Sequence, residues 1–313
     1  MKEKALTAKD IQNLTPQELE DFLYATDKEI YEPFFDLSGS GDLTTEIVGK
    51  ITLSNDCRLN CHYCSYRKDN PVNTFTFTQS ELALLCERAS QLPISGLILE
   101  AGVPHPQGFN ALYDLIRFVT SQFPLQVYLD IGFETLLAYP ESLKASNHFF
   151  IDYSPTNESF RSTLNSFDKR NELWGLMESS AGATFYANYI VDLPGQDFKD
   201  MVDDLLNLVQ SPVHGIKISP FIPQKETPFS LFGEACLLTT FKVISLTRIL
   251  KPEWDIFIEP SILQLEYEDT MKKALDKGAN KAVLDVSLDD TEKEWKNHDL
   301  LRLKHGNNIK LRD

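Results

Sequence analysis

A chain of 313 residues, 42% hydrophobic, 24% charged and 11% aromatic, has the make-up of a globular protein with a large buried core rather than a disordered or fibrous one. Its 30 basic and 46 acidic side chains leave a net charge of −16, which repels phosphate backbones and anionic bilayers and argues against nucleic-acid or membrane partners. The opening MKEKALTAKD has no apolar leader core, and the five cysteines, three of them within eight residues, do not resemble a secreted disulfide framework, so a reducing, cytoplasmic setting is expected.

Residues 1–45 read as a helical N-terminal extension. Thr15-Pro16-Gln17-Glu18 has the form of a capping box with proline at the first helical position, and Leu19, Phe22 and Leu23 follow as an apolar stripe. Ser38-Gly39-Ser40-Gly41-Asp42 reads as a loop. Beyond it, short β-branched or aromatic runs alternate with amphipathic stretches, the pattern of parallel strands joined by helices. Strands are predicted over 48–54, 96–102, 126–132, 148–154, 184–191, 215–222, 254–261 and 280–287. Helices between them include 79–91, 109–122, 198–209, 237–250 and 264–277. This succession predicts a (β/α)8 TIM-type barrel over 46–288, an α/β fold with its active site at the C-terminal ends of the strands. A doubly wound open sheet is the alternative, because periodicity does not prove closure. Residues 289–313 read as a charged C-terminal tail outside the barrel.

Directly after the first predicted strand stands Leu53-Ser54-Asn55-Asp56-Cys57-Arg58-Leu59-Asn60-Cys61-His62-Tyr63-Cys64, a CxxxCxxC motif. Three soft thiolates from one loop can ligate three irons of a cubane cluster and leave the fourth iron open for chemistry. A closed zinc site needs four ligands and usually pairs two CxxC knuckles. No second knuckle exists here, and His62, lying between two ligands, would have to fold back on itself.

The loop resembles that of the radical S-adenosylmethionine superfamily, whose signature is CxxxCx(aromatic)C after the first barrel strand, with Tyr63 as the aromatic. The continuous run from Ser54 through Asn70 is similar to the cluster loop of the HydE-type maturases of FeFe hydrogenase, and more distantly to methylornithine synthase and biotin synthase. Segments in the same order extend the likeness from about residue 14 to residue 288: Val191-Asp192-Leu193-Pro194-Gly195-Gln196, Asp203-Asp204-Leu205-Leu206, Pro220-Phe221-Ile222-Pro223, Leu246-Thr247-Arg248-Ile249-Leu250 and Gly278-Ala279-Asn280. The resemblance implies a 4Fe-4S cluster on Cys57, Cys61 and Cys64. It also implies S-adenosyl-L-methionine at the open iron, cleaved reductively to a 5'-deoxyadenosyl radical that acts on a small-molecule substrate in the barrel. The electron donor would be a reductant protein such as a flavodoxin or ferredoxin. A methylornithine-synthase-like rearrangement of an amino acid is the alternative. A third reading is a cluster-bearing relative that binds or delivers a metallo-intermediate without turnover.

On the same basis Tyr63 would meet the adenine, Gly102 would let the backbone approach the methionyl group, Arg170 would pair with the methionyl carboxylate, and Ile222 would cover the adenosine. Three departures stand out. The superfamily's common Gly-Gly-Glu at the second strand is Ala101-Gly102-Val103, and where HydE-type proteins carry an Arg-His-Glu run after the fourth strand this chain has Asp152-Tyr153-Ser154. The methionyl ammonium thus loses its usual carboxylates, and Asp152, with Ser154 beside it, is expected to compensate in preference to Glu100. Glu259-Pro260-Ser261 replaces paired threonines on strand seven; with Tyr189 it predicts a narrower, more acidic substrate cavity, unless Glu259 pairs with a base such as Lys217. Cys86 and Cys236 read as buried structural thiols, and His105 as a loop residue without a chemical role.

Overall fold

Alternation decides this architecture, because in each strand every second side chain faces the same way. A computed structural model describes residues 13–25, 45–71, 73–153, 155–164, 170–259 and 267–287. In chain order the elements are α1 (Pro16–Tyr24), β1 (Glu46–Ser54), α2 (Gln79–Gln91), β2 (Gly96–Ala101), α3 (Phe109–Gln122), β3 (Gln126–Asp130), α4 (Phe133–Ala138), β4 (His148–Asp152), α5 (Glu158–Thr163) and α6 (Arg170–Ser179). They continue as β5 (Thr184–Val191), α7 (Phe198–Gln210), β6 (Gly215–Pro220), α8 (Leu237–Leu250), β7 (Asp255–Ile258), α9 (Tyr267–Asp276) and β8 (Lys281–Asp285). All eight strands are parallel and close into a barrel in sequence order. β1 pairs with β2 on one side and β8 on the other, which removes the open-sheet alternative.

The helix boundaries follow local chemistry. Thr15, Thr78 and Asp197 each cap a helix and each is answered three residues later by an acid, Glu18, Glu81 and Asp200, so both sides of a capping box form. The stripe of α1 is buried, and Tyr24 meets Phe198 of α7 edge-on with ring centroids 4.6 Å apart. Lys242 of α8 donates to the carbonyl of Leu23 at 2.9 Å and also to that of Ala25, tying the end of α1 to the helical layer. The rest of the expected N-terminal extension and the 289–313 tail lie outside the described residues.

Inside the barrel the side chains form layers. Next to the N-terminal end, Lys281 Nζ sits 2.8 Å from Glu46 and 3.8 Å from Asp255. Above that lies an apolar plug of Val48, Ile98, Tyr128, Phe150, Tyr186, Phe257 and Val283, one residue from every strand except β6. Its rings meet at centroid distances such as 5.0 Å for Phe150 and Phe257. β6 contributes Gly215, because a Cβ there would lie 2.3 Å from the Asp255 carbonyl oxygen and 2.9 Å from Tyr186 Cδ1. Residues of opposite phase, such as Leu97, Leu99, Phe149, Ile151, Phe185 and Ala187, fill the outer core beneath the helices.

These two environments predict opposite outcomes for one substitution. Gly215→Ala overpacks the plug and should cost about 1–3 kcal/mol, whereas Gly175→Ala, in an exposed stretch of α6 with nothing within 4 Å, should gain up to about 1 kcal/mol. Urea unfolding of the two variants checks both signs.

Candidate active site

The loop after β1 is fastened by residues near it in sequence. A register shift between Thr52 and Ser54 ends the ladder with β2. Ser54 Oγ accepts from the Asp56 amide at 3.1 Å, and Asn55 bonds Asn73 and Phe75 at 3.0 and 2.6 Å. Further on, the Arg58 amide donates to the Val103 carbonyl at 2.8 Å, the Lys68 amide to Leu59 at 2.7 Å, and Arg67 Nε to the Cys61 carbonyl at 3.2 Å. Cys57, Cys61 and Cys64 are thereby held, all three unpaired and half-buried, on the wall of a cavity of about 710 Å³ at the C-terminal mouth of the barrel. That volume is within the usual range for small-molecule sites. Burial pushes the Cys61 and Cys64 thiols up to about 12, and that of Cys57 upward as well.

The cavity floor is the next inward layer. Two residues beyond the plug, β1 to β8 present Lys50, Glu100, Asp130, Asp152, Asn188, Lys217, Glu259 and Asp285 in turn. Lys217 Nζ lies 2.5 Å from Asp130 and 3.1 Å from Glu259; Lys50 Nζ lies 3.3, 3.4 and 3.2 Å from Glu100, Glu259 and Asp285. Asn188 Nδ2 donates to Asp130 at 2.9 Å and to Asp152 at 3.1 Å. Burial alone would raise Glu259, but the ammonium groups of Lys217 and Lys50 outweigh it and hold the carboxyl at about 2. Asp152 has no such base: burial, then the charge of Asp130, raise it to about 6. Burial also raises Glu100 against the pull of Lys50.

Several expectations need revision. Glu259 lines the cavity, yet it is paired with Lys217 and Lys50 and adds no free negative charge. Tyr189 borders the cavity but its side chain packs with the outer core, 3% exposed, where its phenol accepts from Gln196 at 3.1 Å and meets Tyr153 edge-on; Ile190 is the residue of inward phase. Gly102 is required first by the protein itself, since a Cβ there would fall 2.5 Å from the Asp56 carbonyl oxygen and 2.7 Å from Cys57 Cβ. Tyr63 bonds Cys61 and packs beside Phe160, Leu164 and Phe221 while lining the cavity. Ile222 lines the cavity just past β6. Arg170 begins α6, but its side chain, like the whole of Ser154, lies outside the described residues. Cys86 is buried as expected, whereas Cys236 is exposed at the N-cap of α8, with its amide donating to Asp192 at 2.8 Å. Exposed His105 is not among the lining residues. Lys50, Asp130, Asn188 and Glu134 are cavity residues that sequence reasoning missed. The signal for the first three was a polar residue two places beyond an apolar one near a strand's end.

A scan against protein-family models gives no match. The chain is 29% identical over 256 residues to the FeFe hydrogenase maturase subunit HydE of Thermotoga maritima, an alignment covering 77% of this chain and 72% of that protein. It is 22% identical over 243 residues to the 3-methylornithine synthase of Methanosarcina acetivorans, with 74% of this chain and 66% of that protein covered. The crystal structure of methylornithine synthase (PylB) shares the fold over 95% of each chain, with a TM-score of 0.80 at 20% identity. That of the maturase HydG from Carboxydothermus hydrogenoformans gives 0.70 at 18% identity, over 88% of this chain and 69% of the other. The likeness agrees with the cysteine loop at the barrel mouth. The chain is similar in sequence and in fold to radical S-adenosylmethionine enzymes.

The residues of the cavity suit the cofactors that this likeness implies. Cys57, Cys61 and Cys64 come from one loop and line one cavity, and three thiols supplied this way are the donor set a multi-iron cluster takes. The donors are soft thiols, and the cavity beside them contains both charges and apolar cover.

The ion pairs of the floor give a pH test with a defined sign. A carboxyl held at about 2 in the folded protein, against 4.5 unperturbed, contributes stability above pH 4.5 that is lost as the pH falls toward 2. Glu259→Gln should therefore lower stability by about 1.5–3 kcal/mol at pH 7, and its deficit relative to the parent should shrink steadily between pH 5 and pH 3. Urea midpoints across that range read the effect.

Proposed function

We propose that Cys57, Cys61 and Cys64 hold a 4Fe-4S cluster at the mouth of the barrel, and that the enzyme acts on a small polar substrate seated between that cluster and the charged floor. One observation carries this reading: the three cysteines and seven members of the polar ring, from Lys50 round to Glu259, line the same cavity. Once bound, the cluster and S-adenosylmethionine supply an electron and a 5'-deoxyadenosyl radical. The chain's own part is to hold, orient and shield. Asp152 offers a carboxylate to the methionyl ammonium, with Ser154 after it, and Arg170 offers a guanidinium to the methionyl carboxylate. Tyr63 and Ile222 give the adenosine an apolar surround that keeps water from the reacting carbon. A reductant protein of the flavodoxin or ferredoxin kind, in the cytoplasm, supplies the electron.

A second reading, rearrangement of an amino acid as in the methylornithine synthases, is favoured by the floor. Even with Asp152 given to the cofactor, its lining carboxylates Glu100, Asp130 and Glu259 exceed its two lysines, Lys50 and Lys217, so it matches an ammonium-bearing substrate better than an anion. A maturase substrate would have to suit the same surface.

Anaerobic reconstitution with iron, sulfide and a strong reductant tests the cofactor chemistry. The parent should bind about four irons per chain, show visible absorbance and release 5'-deoxyadenosine from S-adenosylmethionine; each single Cys→Ala variant should lose the absorbance. A triple variant with its full iron and sulfide would refute the ligand assignment. A loaded parent that releases no 5'-deoxyadenosine would instead favour the carrier reading. Asp152→Asn should weaken S-adenosylmethionine binding by about 1.5–3 kcal/mol if its charged hydrogen bond is lost.

Expression in a hydrogenase producer lacking its own HydE-type maturase separates the two substrate readings. Hydrogen evolution should not return; full restoration would show that the charged floor is compatible with maturation.

A further inference from the structure

Just past the second strand, Val103, 3% exposed, stands where the superfamily commonly has a glutamate. Its backbone is nevertheless in place, with its carbonyl accepting from the Arg58 amide at 2.8 Å. The chain next returns to this corner in the turn after β3. Gly132 adopts φ 74°, and a Cβ there would meet Val103 Cγ2 at 2.3 Å and lie 3.9 Å from Glu134 Oε2. The carboxylate of Glu134 is thus turned back against Gly132, beside Val103, and it lines the cavity together with Cys57, Cys61, Gly102 and Asp152.

No lysine or arginine among the described residues forms an ion pair with Glu134 or Asp152, in contrast to Glu100, Asp130 and Glu259 on the floor. Asp152 accepts from Asn188 Nδ2 at 3.1 Å, and the other amide atom, Asn188 Oδ1, is buried without a donor. Two carboxylates on one cavity wall, with no ion-pair partner among the described residues, call for a cation with several hydrogens to donate. A primary ammonium donates three.

We propose that Glu134, from the third βα turn, replaces the missing second-strand acid and with Asp152 receives the methionyl ammonium of S-adenosylmethionine. The proposal rests on the cofactor reading above and adds a residue to it. The floor carboxylates, already matched to Lys50 and Lys217, are left for substrate.

The test is equilibrium binding by calorimetry to the anaerobically reconstituted protein, with two ligands: S-adenosylmethionine and its 2-oxo acid analogue, in which a carbonyl replaces the amino group. Glu134→Gln should weaken S-adenosylmethionine tenfold or more, leave the analogue within twofold of the parent, and keep the parent's iron content. Glu134→Asp, which retains the charge, should recover part of the loss. Parent-like binding of S-adenosylmethionine by Glu134→Gln, or equal weakening of both ligands, would overturn the assignment and leave the cofactor reading standing. A reconstituted parent that binds no S-adenosylmethionine would overturn both.

Discussion

The site depends on a single geometric constraint, the two-residue period of inward-facing side chains in a closed parallel barrel. Once Val48, Ile98, Tyr128, Phe150, Tyr186, Phe257 and Val283 are committed to the plug, the residue two places on must face the lumen one level higher. There each strand carries a polar or charged group. Above that level the side chains shrink at Gly102, Gly132 and Ser219, and space opens. The cavity is therefore the place where inward side chains become too small to fill the barrel.

Charges so placed are a poor means of stabilising a fold. Taking Lys217, Asp130 and Glu259 out of water costs several kcal/mol per ion before their attraction repays it, and apolar side chains of similar volume often do as well or better. The ring nevertheless runs through all eight strands, with Lys217 bridging β3 and β7 and Lys50 bridging β2, β7 and β8. Such cross-lumen pairing fixes the direction of each head group, and a rigid polar floor is what positioning a reactive substrate requires. Glu259 is held ionised by the two lysines. Asp152, without a base, is the one that a bound cation could still pull down from about 6.

Local chemistry made the fold and the cysteine loop legible in the sequence. Thr78 with Glu81 and Asp197 with Asp200 write helix starts into the chain, and α2 and α8 span the predicted residues. Three cysteines on one short loop need no tertiary information to be read as ligands. The setting of Tyr189 was not readable because a strand's alternation does not reveal which phase faces inward; in β5 the inward set is Tyr186, Asn188 and Ile190, and Tyr189 borders the cavity from the other phase. The neutralisation of Glu259 was open for a related reason: its partners sit on β6 and β1, and the latter is brought near only by closure. Cys236 begins a helix with a nearly all-buried run, so its neighbours suggested burial that its own N-cap position denies.

Glu134 was hidden by a different rule. As a first-turn acid of a short helix it has a sufficient local explanation, favourable interaction with the helix N-terminus, and nothing in its neighbours contradicts that. Only the turn at Gly132, closed so tightly on Val103 that no side chain fits, brings its carboxylate to the end of the second strand. Functional residues on βα turns are the least readable in a barrel because their positions depend on two strands and the turn between them, whereas a residue inside a strand depends on one alternation. The same freedom lets a barrel lose an acid on one strand and regain its charge from the next without moving the cysteine loop.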